Sequence, residues 1–236
     1  MKKIAFFVEG QTEQIFVQSL IEFIAQGKNV EIFSKRGNLG RKKPRRYMDI
    51  DEKKIGTGKD YYVLITNSSS EDSIVSDIRE LYQNLVKQGY SAIIGLRDVK
   101  PSFERNKIPQ LRSGMHSSVS SLEPIAIDFF LSIMEVEAWF LAENTHFLRL
   151  SPDLTEERVR GEIGFFPDNN NAESLDDPSG VLTEIYALVG VEYDKSRAVV
   201  QRVVDELSFE DIKNIHSAVI PDLGGVVGAA DNFLTS

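Results

Sequence analysis

Apolar positions in this chain follow two spacings. Short runs dominated by apolar residues, Lys3 to Val8 (KIAFFV), Tyr61 to Thr66 (YYVLIT) and Ser91 to Leu96 (SAIIGL), predict strands buried on both faces, as in a parallel sheet. Val30 to Phe33 predicts another strand, followed by a basic loop, and Pro124 to Leu131 a fifth. Between the first two strands, Ile15, Phe16, Leu20, Phe23 and Ile24 recur at helical spacing, with Thr12 as candidate N-cap and Gly27 as stop. A second helix is expected from about Glu71 to Gln88, ending at Gly89, and Ile133 to Ala142 (IMEVEAWFLA) reads as a helix around Trp139. Alternation of this kind predicts an α/β fold: a parallel-rich sheet with right-handed crossovers, flanked by helices.

Beyond Ser151 the strand signal fades. Asp168-Asn169-Asn170-Asn171 and Asp176-Asp177-Pro178-Ser179-Gly180 have loop compositions. Short helices are expected near 181–189, 196–206, 209–217 and 225–234. The expected organisation is an α/β domain over residues 1–145 and a helical C-terminal region, 146–236, packed on it.

Composition narrows the chemistry. The 236 residues are 42% hydrophobic and 27% charged, enough for a globular core and too apolar for wholesale disorder. With no cysteine, disulfides, thiolate metal sites and a cysteine nucleophile are excluded. Three histidines are too few for a site of several imidazoles, so any metal would sit on oxygen, which points to hard ions such as Mg²⁺ or Mn²⁺. The apolar run from Ile4 to Val8 is too short for a signal-peptide core and no run approaches a membrane span, so a cytoplasmic protein is expected.

Net charge is −9, from 36 acidic and 27 basic residues, which argues against a nucleic-acid partner until its distribution is considered. Seven of the twelve residues from Lys35 to Arg46 are basic (Lys35, Arg36, Arg41, Lys42, Lys43, Arg45 and Arg46) and none is acidic. A run of this kind is suited to holding the phosphates of DNA or RNA. An isolated charge run is more often a solvated loop.

Candidate catalytic groups follow from topology. Ligands of open parallel sheets sit beyond the carboxyl ends of the strands. Glu9 closes the first strand and Asp98 lies two residues past the apolar run of the fourth, so neighbouring strands would bring the two carboxylates together. Like charges at that range favour a cation between them. Glu13, in the first turn of the next helix, faces the same edge or serves only as a helix N-terminal acid. His116, in a Ser-rich segment (RSGMHSSVSS) read as a loop, could approach the site, whereas His146 and His216 read as ordinary fold or surface residues. No serine stands in a strand–turn–helix elbow, and Gly37 to Gly40 does not match a phosphate-binding loop.

Val8-Glu9-Gly10-Gln11-Thr12-Glu13, after a short N-terminal strand, resembles the first motif of the Toprim domain. That metal-dependent fold is shared by topoisomerases, primases, recombination proteins and the overcoming-lysogenization-defect nucleases. Together with the EVEAWFLA segment, it resembles a bacterial family of Toprim-like proteins associated with defence against phage. The resemblance touches roughly residues 3–145 at several anchor points. It implies that Glu9 is a metal ligand or general base and that Asp98 is the first aspartate of the Asp-x-Asp motif. Lys100 stands where the second aspartate would be, which removes one expected ligand. In the nuclease branch the resemblance further implies a second ion held near Glu13 and by later glutamates, here Glu135 or Glu137. Two residues apart on a regular helix these point about 200° from each other, so only a strand-to-helix junction would let both face one site; Glu137, beside Trp139, is slightly favoured. Lys100 and Lys195 are the candidates for holding a phosphate oxygen.

The expected function is therefore a Mg²⁺- or Mn²⁺-dependent nuclease on DNA or RNA. The alternatives are an inactive Toprim-like module working with a partner protein such as an ATPase, and, more remotely, an enzyme acting on a small phosphorylated molecule.

Overall fold

A computed structural model describes residues 1–38, 46–70 and 72–235. Six strands form one sheet: β1 (Lys2–Val8), β2 (Val30–Gly37), β3 (Tyr47–Ile55), β4 (Tyr61–Asn67), β5 (Ala92–Asp98) and β6 (Ala126–Ser132). Their order is β3-β2-β4-β1-β5-β6, and every pairing is parallel except β2 with β3. Helices α1 (Gln11–Ile24), α2 (Ser73–Lys87) and α3 (Ile108–Val119) make the crossovers. The chain thus has the mostly parallel α/β sheet flanked by helices that its apolar runs predict.

The remaining helices follow β6. They are α4 (Glu137–Ala142), α5 (His146–Leu150), α6 (Glu156–Ile163), α7 (Pro178–Ala187), α8 (Arg197–Asp205) and α9 (Phe209–Asp211). A π-helical turn at Ile212–His216 leads into α10 (Ser217–Val219), and α11 (Pro221–Thr235) ends the chain. Among the described residues no helix is long and apolar enough to cross a membrane.

Strand periodicity sorts the core. Ile4, Phe6 and Val8 point to a face shared with α1, α4, α7, α8 and α11, while Ala5 and Phe7 point to a face covered by α2 and α3. Phe6 and Phe7 are both fully buried, and each contributes about 1.5–3 kcal/mol of burial. Ile4 and Leu234 belong to the same apolar cluster, so the helices after residue 146 share the core of the sheet. Phe16 is central to it, with its ring 5.7 Å from those of Trp139, Phe140 and Phe209.

Several local expectations need correction. β2 runs on to Gly37, because β3 pairs with it from Val30–Ile55 to Gly37–Tyr47, so Lys35 and Arg36 are strand residues and not part of a loop. Arg41, Lys42, Lys43 and Arg45 lie outside the described residues. α1 starts one residue before Thr12, with Gly10 at the N-cap and the Glu13 carboxylate accepting from its N–H at 2.7 Å. His116 lies on α3, not in a loop, and its ring meets Phe129 edge-on at 5.4 Å on the α2/α3 face. The helix expected from Ile133 begins at Glu137, after a turn in which Met134 has φ 66°.

Candidate functional site

Glu9 and Asp98 meet because β1 and β5 are neighbours. Val8 pairs with Leu96, so the chain leaving β1 passes the end of β5, and Glu9 Oε2 accepts from the Asp98 N–H at 3.1 Å. Asp98 shares the strand parity of Ile94 and Leu96, which places it on the face of α1 and α4. Its carboxylate also accepts from the hydroxyl of Ser132, its register partner on β6. Burial first, then the charges of Glu13, Glu9 and Glu137, hold the Asp98 carboxyl well above the usual aspartate value, against the opposing Ser132 hydrogen bond.

Glu13 comes from the first turn of α1 and is 4% exposed. Burial, then the charge of Glu137, pushes it up to about 7, although backbone N–H groups favour its ionised form. Glu137 is the first residue of α4 and is fully buried. Its Oε1 accepts from Tyr193 Oη at 3.0 Å and faces Lys195 Nζ at 2.9 Å. Its Oε2 has no hydrogen-bond partner among the described residues. A fully buried carboxylate oxygen left without a donor is costly in isolation and marks a position suited to a further positive group.

The irregular turn before α4 lets both glutamates reach one place. Glu135 and Glu137 lie 3.3 and 2.9 Å from the same Lys195 ammonium, which a regular helix would forbid. Glu135 Oε2 also accepts from the Ser179 N–H at 3.1 Å. Burial disfavours the charged form of Lys195, but Glu137 and then Glu135 outweigh it and raise the ammonium above the usual lysine value. Lys195 adopts φ 55°, a left-handed conformation costing about 1–2 kcal/mol in a non-glycine residue, and its carbonyl accepts from Gln11 Nε2 at 3.2 Å. Lys100 sits further out: it is 2.6 Å from Asp177 and 4.0 Å from Glu135.

The carboxyl edge therefore brings together Glu9, Glu13, Asp98 and Glu137, with Glu135, Lys195 and Lys100 on its rim. This all-oxygen set has the donor chemistry of a hard divalent ion. Among the described residues no three acidic or imidazole groups converge as a ready-made cage. Glu9, Glu13 and Asp98 each turn one oxygen to a nearby donor of the protein, while Glu137 Oε2 is fully buried with no donor among the described residues.

Among the described residues, the three basic groups of the run, Lys35, Arg36 and Arg46, lie apart. Lys35 and Arg36 are adjacent on β2 and point to opposite faces. Lys35 lies 5.0 Å from the Phe33 ring centroid and 3.7 Å from Asp49. Arg36 lines a cleft of ≈ 370 Å³ over the carboxyl ends of β2 and β4. Arg46 is exposed, and its N–H donates to Asn38 Oδ1 at 3.2 Å. Tyr193 and Arg197 were not visible from motifs, because only packing brings their segments to the edge; Asn67, ending β4, and Ser132, ending β6, could have been found by the strand-end rule that singles out Glu9 and Asp98.

No protein-family model and no curated protein matches the chain. A solved structure, a hypothetical protein from Pyrococcus horikoshii OT3, aligns with 99% of this chain and 100% of its own, at 12% identity and a TM-score of 0.48.

Proposed function

We propose that the protein is a Mg²⁺- or Mn²⁺-dependent, Toprim-like nuclease acting on DNA or RNA in the cytoplasm, with a role in defence against phage. The observation that carries this reading is the meeting of Glu9 and Asp98 at adjacent strand ends, facing Glu13 and the unpartnered oxygen of Glu137. Glu9, Glu13, Asp98 and Glu137 are the residues that would hold the ion, with Glu135 beside them. When bound, such an ion supplies an activated water and neutralises charge developing at the scissile phosphate.

The protein's own groups position and balance this chemistry. Ser132 and Tyr193 orient Asp98 and Glu137 through hydrogen bonds. Lys195 and Lys100 place two ammonium groups on the rim, where a phosphate oxygen would gain from them. The VEGQTE resemblance and the basic run 35–46 support a polynucleotide substrate. The test is nicking of supercoiled plasmid, and cleavage of RNA, in Mn²⁺. Glu9→Ala and Asp98→Ala are each expected to lose at least ~100-fold in rate, since even outer-shell changes at metal sites cost ~10–100-fold. Unchanged activity in both variants sinks the reading.

One feature of the site favours a second reading. Lys100 stands at the position of the second aspartate, and the Lys195 ammonium already opposes both Glu135 and Glu137. On that reading the chain is a binding or regulatory module working with a partner protein such as an ATPase, without cleavage. Polynucleotide binding with no calorimetric uptake of Mg²⁺ or Mn²⁺ at millimolar concentration would favour it.

A further inference from the structure

The cleft next to the carboxylates has a polar lining that metal chemistry leaves unexplained. It lies over the carboxyl ends of β2 and β4 and has a volume of ≈ 370 Å³. Arg36, near the end of β2, and Arg197, the first residue of α8, both line it. Neither guanidinium has an ion pair or hydrogen bond among the described residues, whereas Arg105, Arg112, Arg149, Arg158 and Arg160 all have acceptors. Two unpaired arginines facing one recess call for an anion.

Asn67, which ends β4, points the same way. It is 2% exposed and lines the cleft, and its Oδ1 accepts from the Ser69 N–H at 2.8 Å. Its Nδ2 donates to no described residue, which leaves the amide hydrogens available at the wall of the recess that Asn67 lines. Gln14 is held rigid beside it by bonds from Nε2 to the Lys35 and Ile65 carbonyls at 2.9 and 3.4 Å. The acid of the lining, Asp51, has Oδ2 turned to Gln18 Nε2 at 3.1 Å.

The position relative to the carboxylates fixes the direction in which a ligand would run. β2 is separated from β5 by β4 and β1, so the end of β2 stands roughly 14 Å from Asp98 at the usual spacing of neighbouring strands. We propose that this cleft is the flanking subsite of the site described above: Arg36, Arg197 and Asn67 hold a backbone phosphate of a single-stranded polynucleotide that crosses the carboxyl edge from β5 toward β2. This rests on the nuclease reading for the identity of the anion. The recess itself, at ≈ 370 Å³, has room for about a nucleotide.

The test is fluorescence anisotropy of a labelled single-stranded oligonucleotide over a salt series, with Ca²⁺ in place of the catalytic ion. Wild type is compared with Arg36→Ala, Arg197→Ala, the double variant, and Arg202→Ala, an exposed residue of the same helix outside the cleft. Folding of each is checked by the fluorescence of the single tryptophan, Trp139. One lost phosphate contact on a single strand lowers the salt slope by about 0.7, about fivefold in affinity at 0.1 M salt. Each cleft variant is expected to show part of that loss, the double variant the whole of it, and Arg202→Ala none. A double variant with wild-type affinity and slope overturns the subsite, as does equal weakening by Arg202→Ala. Binding of a labelled mononucleotide with no binding of the oligonucleotide overturns the polynucleotide assignment. The outcomes separate from the nuclease reading, because plasmid nicking without any effect of the cleft variants leaves the carboxylate chemistry standing.

Discussion

Replacing Lys195 with methionine removes the ammonium that faces Glu137 and Glu135 while keeping most of the aliphatic stem. Glu137 is then left with Tyr193 as its donor, in a fully buried position. Removing one partner of a buried ion pair costs about 3–5 kcal/mol, against about 0–1 kcal/mol for an exposed pair. The Lys195 side chain is 40% exposed and that of Glu137 is 0%, so the expected loss lies between these limits, about 2 kcal/mol. For a chain of this length that corresponds to a drop in Tm of roughly 4–8 °C. Urea unfolding followed by Trp139 fluorescence reads it, since Trp139 lies two residues from Glu137 and is fully buried. Adding Glu137→Gln removes the stranded charge and is expected to recover at least ~1 kcal/mol, a positive coupling in the double-mutant cycle. A loss below about 0.5 kcal/mol, with no coupling to Glu137, would refute the role of Lys195 as the countercharge of this carboxylate.

Two further outcomes test the frame around the site. A Cβ at Gly225 on α11 would lie 2.0 Å from Phe130 Cε1, so Gly225→Ala is expected to cost about 1–3 kcal/mol by displacing the C-terminal helix from β6; wild-type thermal stability would argue against that seating. Burial of Glu143 is outweighed by hydrogen bonds from His146 and Thr145 and by the charges of His146 and Arg149, so its pKa falls below the ordinary 4.5. Stability from this depressed carboxyl is fully present above 4.5 and fades as pH falls toward its lower folded value. The gap in urea midpoint between wild type and Glu143→Gln should therefore narrow below pH 4.5, and a gap constant with pH contradicts it.

Much of the sheet was legible because β1, β4 and β5 are buried on both faces and so read as continuous apolar runs. β3 was not, because YMDIDEKKI has five charged residues in nine and is an exposed edge strand that β2 organises. α3 was hidden by the Gly and Ser content of IPQLRSGMHSSV, whose helicity comes from burying Leu111, Met115 and Val119. The Glu9–Asp98 meeting was legible as a possibility of parallel topology, and the pairing of β1 with β5 realises it. Tyr193 and Arg197 were not, since their places depend on how distant segments pack. Glu135 and Glu137 fall between these cases: the spacing raised a geometric conflict, and the turn around Met134 resolves it.

The proposed carboxylate centre is tested most directly by titrating Mn²⁺ into the protein and following the free ion by electron paramagnetic resonance. Wild type is expected to take up Mn²⁺ with a Kd at or below ~1 mM, the weak end for oxygen-ligand sites. Glu9→Gln and Asp98→Asn, which keep size and remove charge, should each weaken uptake at least ~10-fold. Equal uptake by wild type and both variants, or none by wild type, would contradict a metal centre built on Glu9 and Asp98.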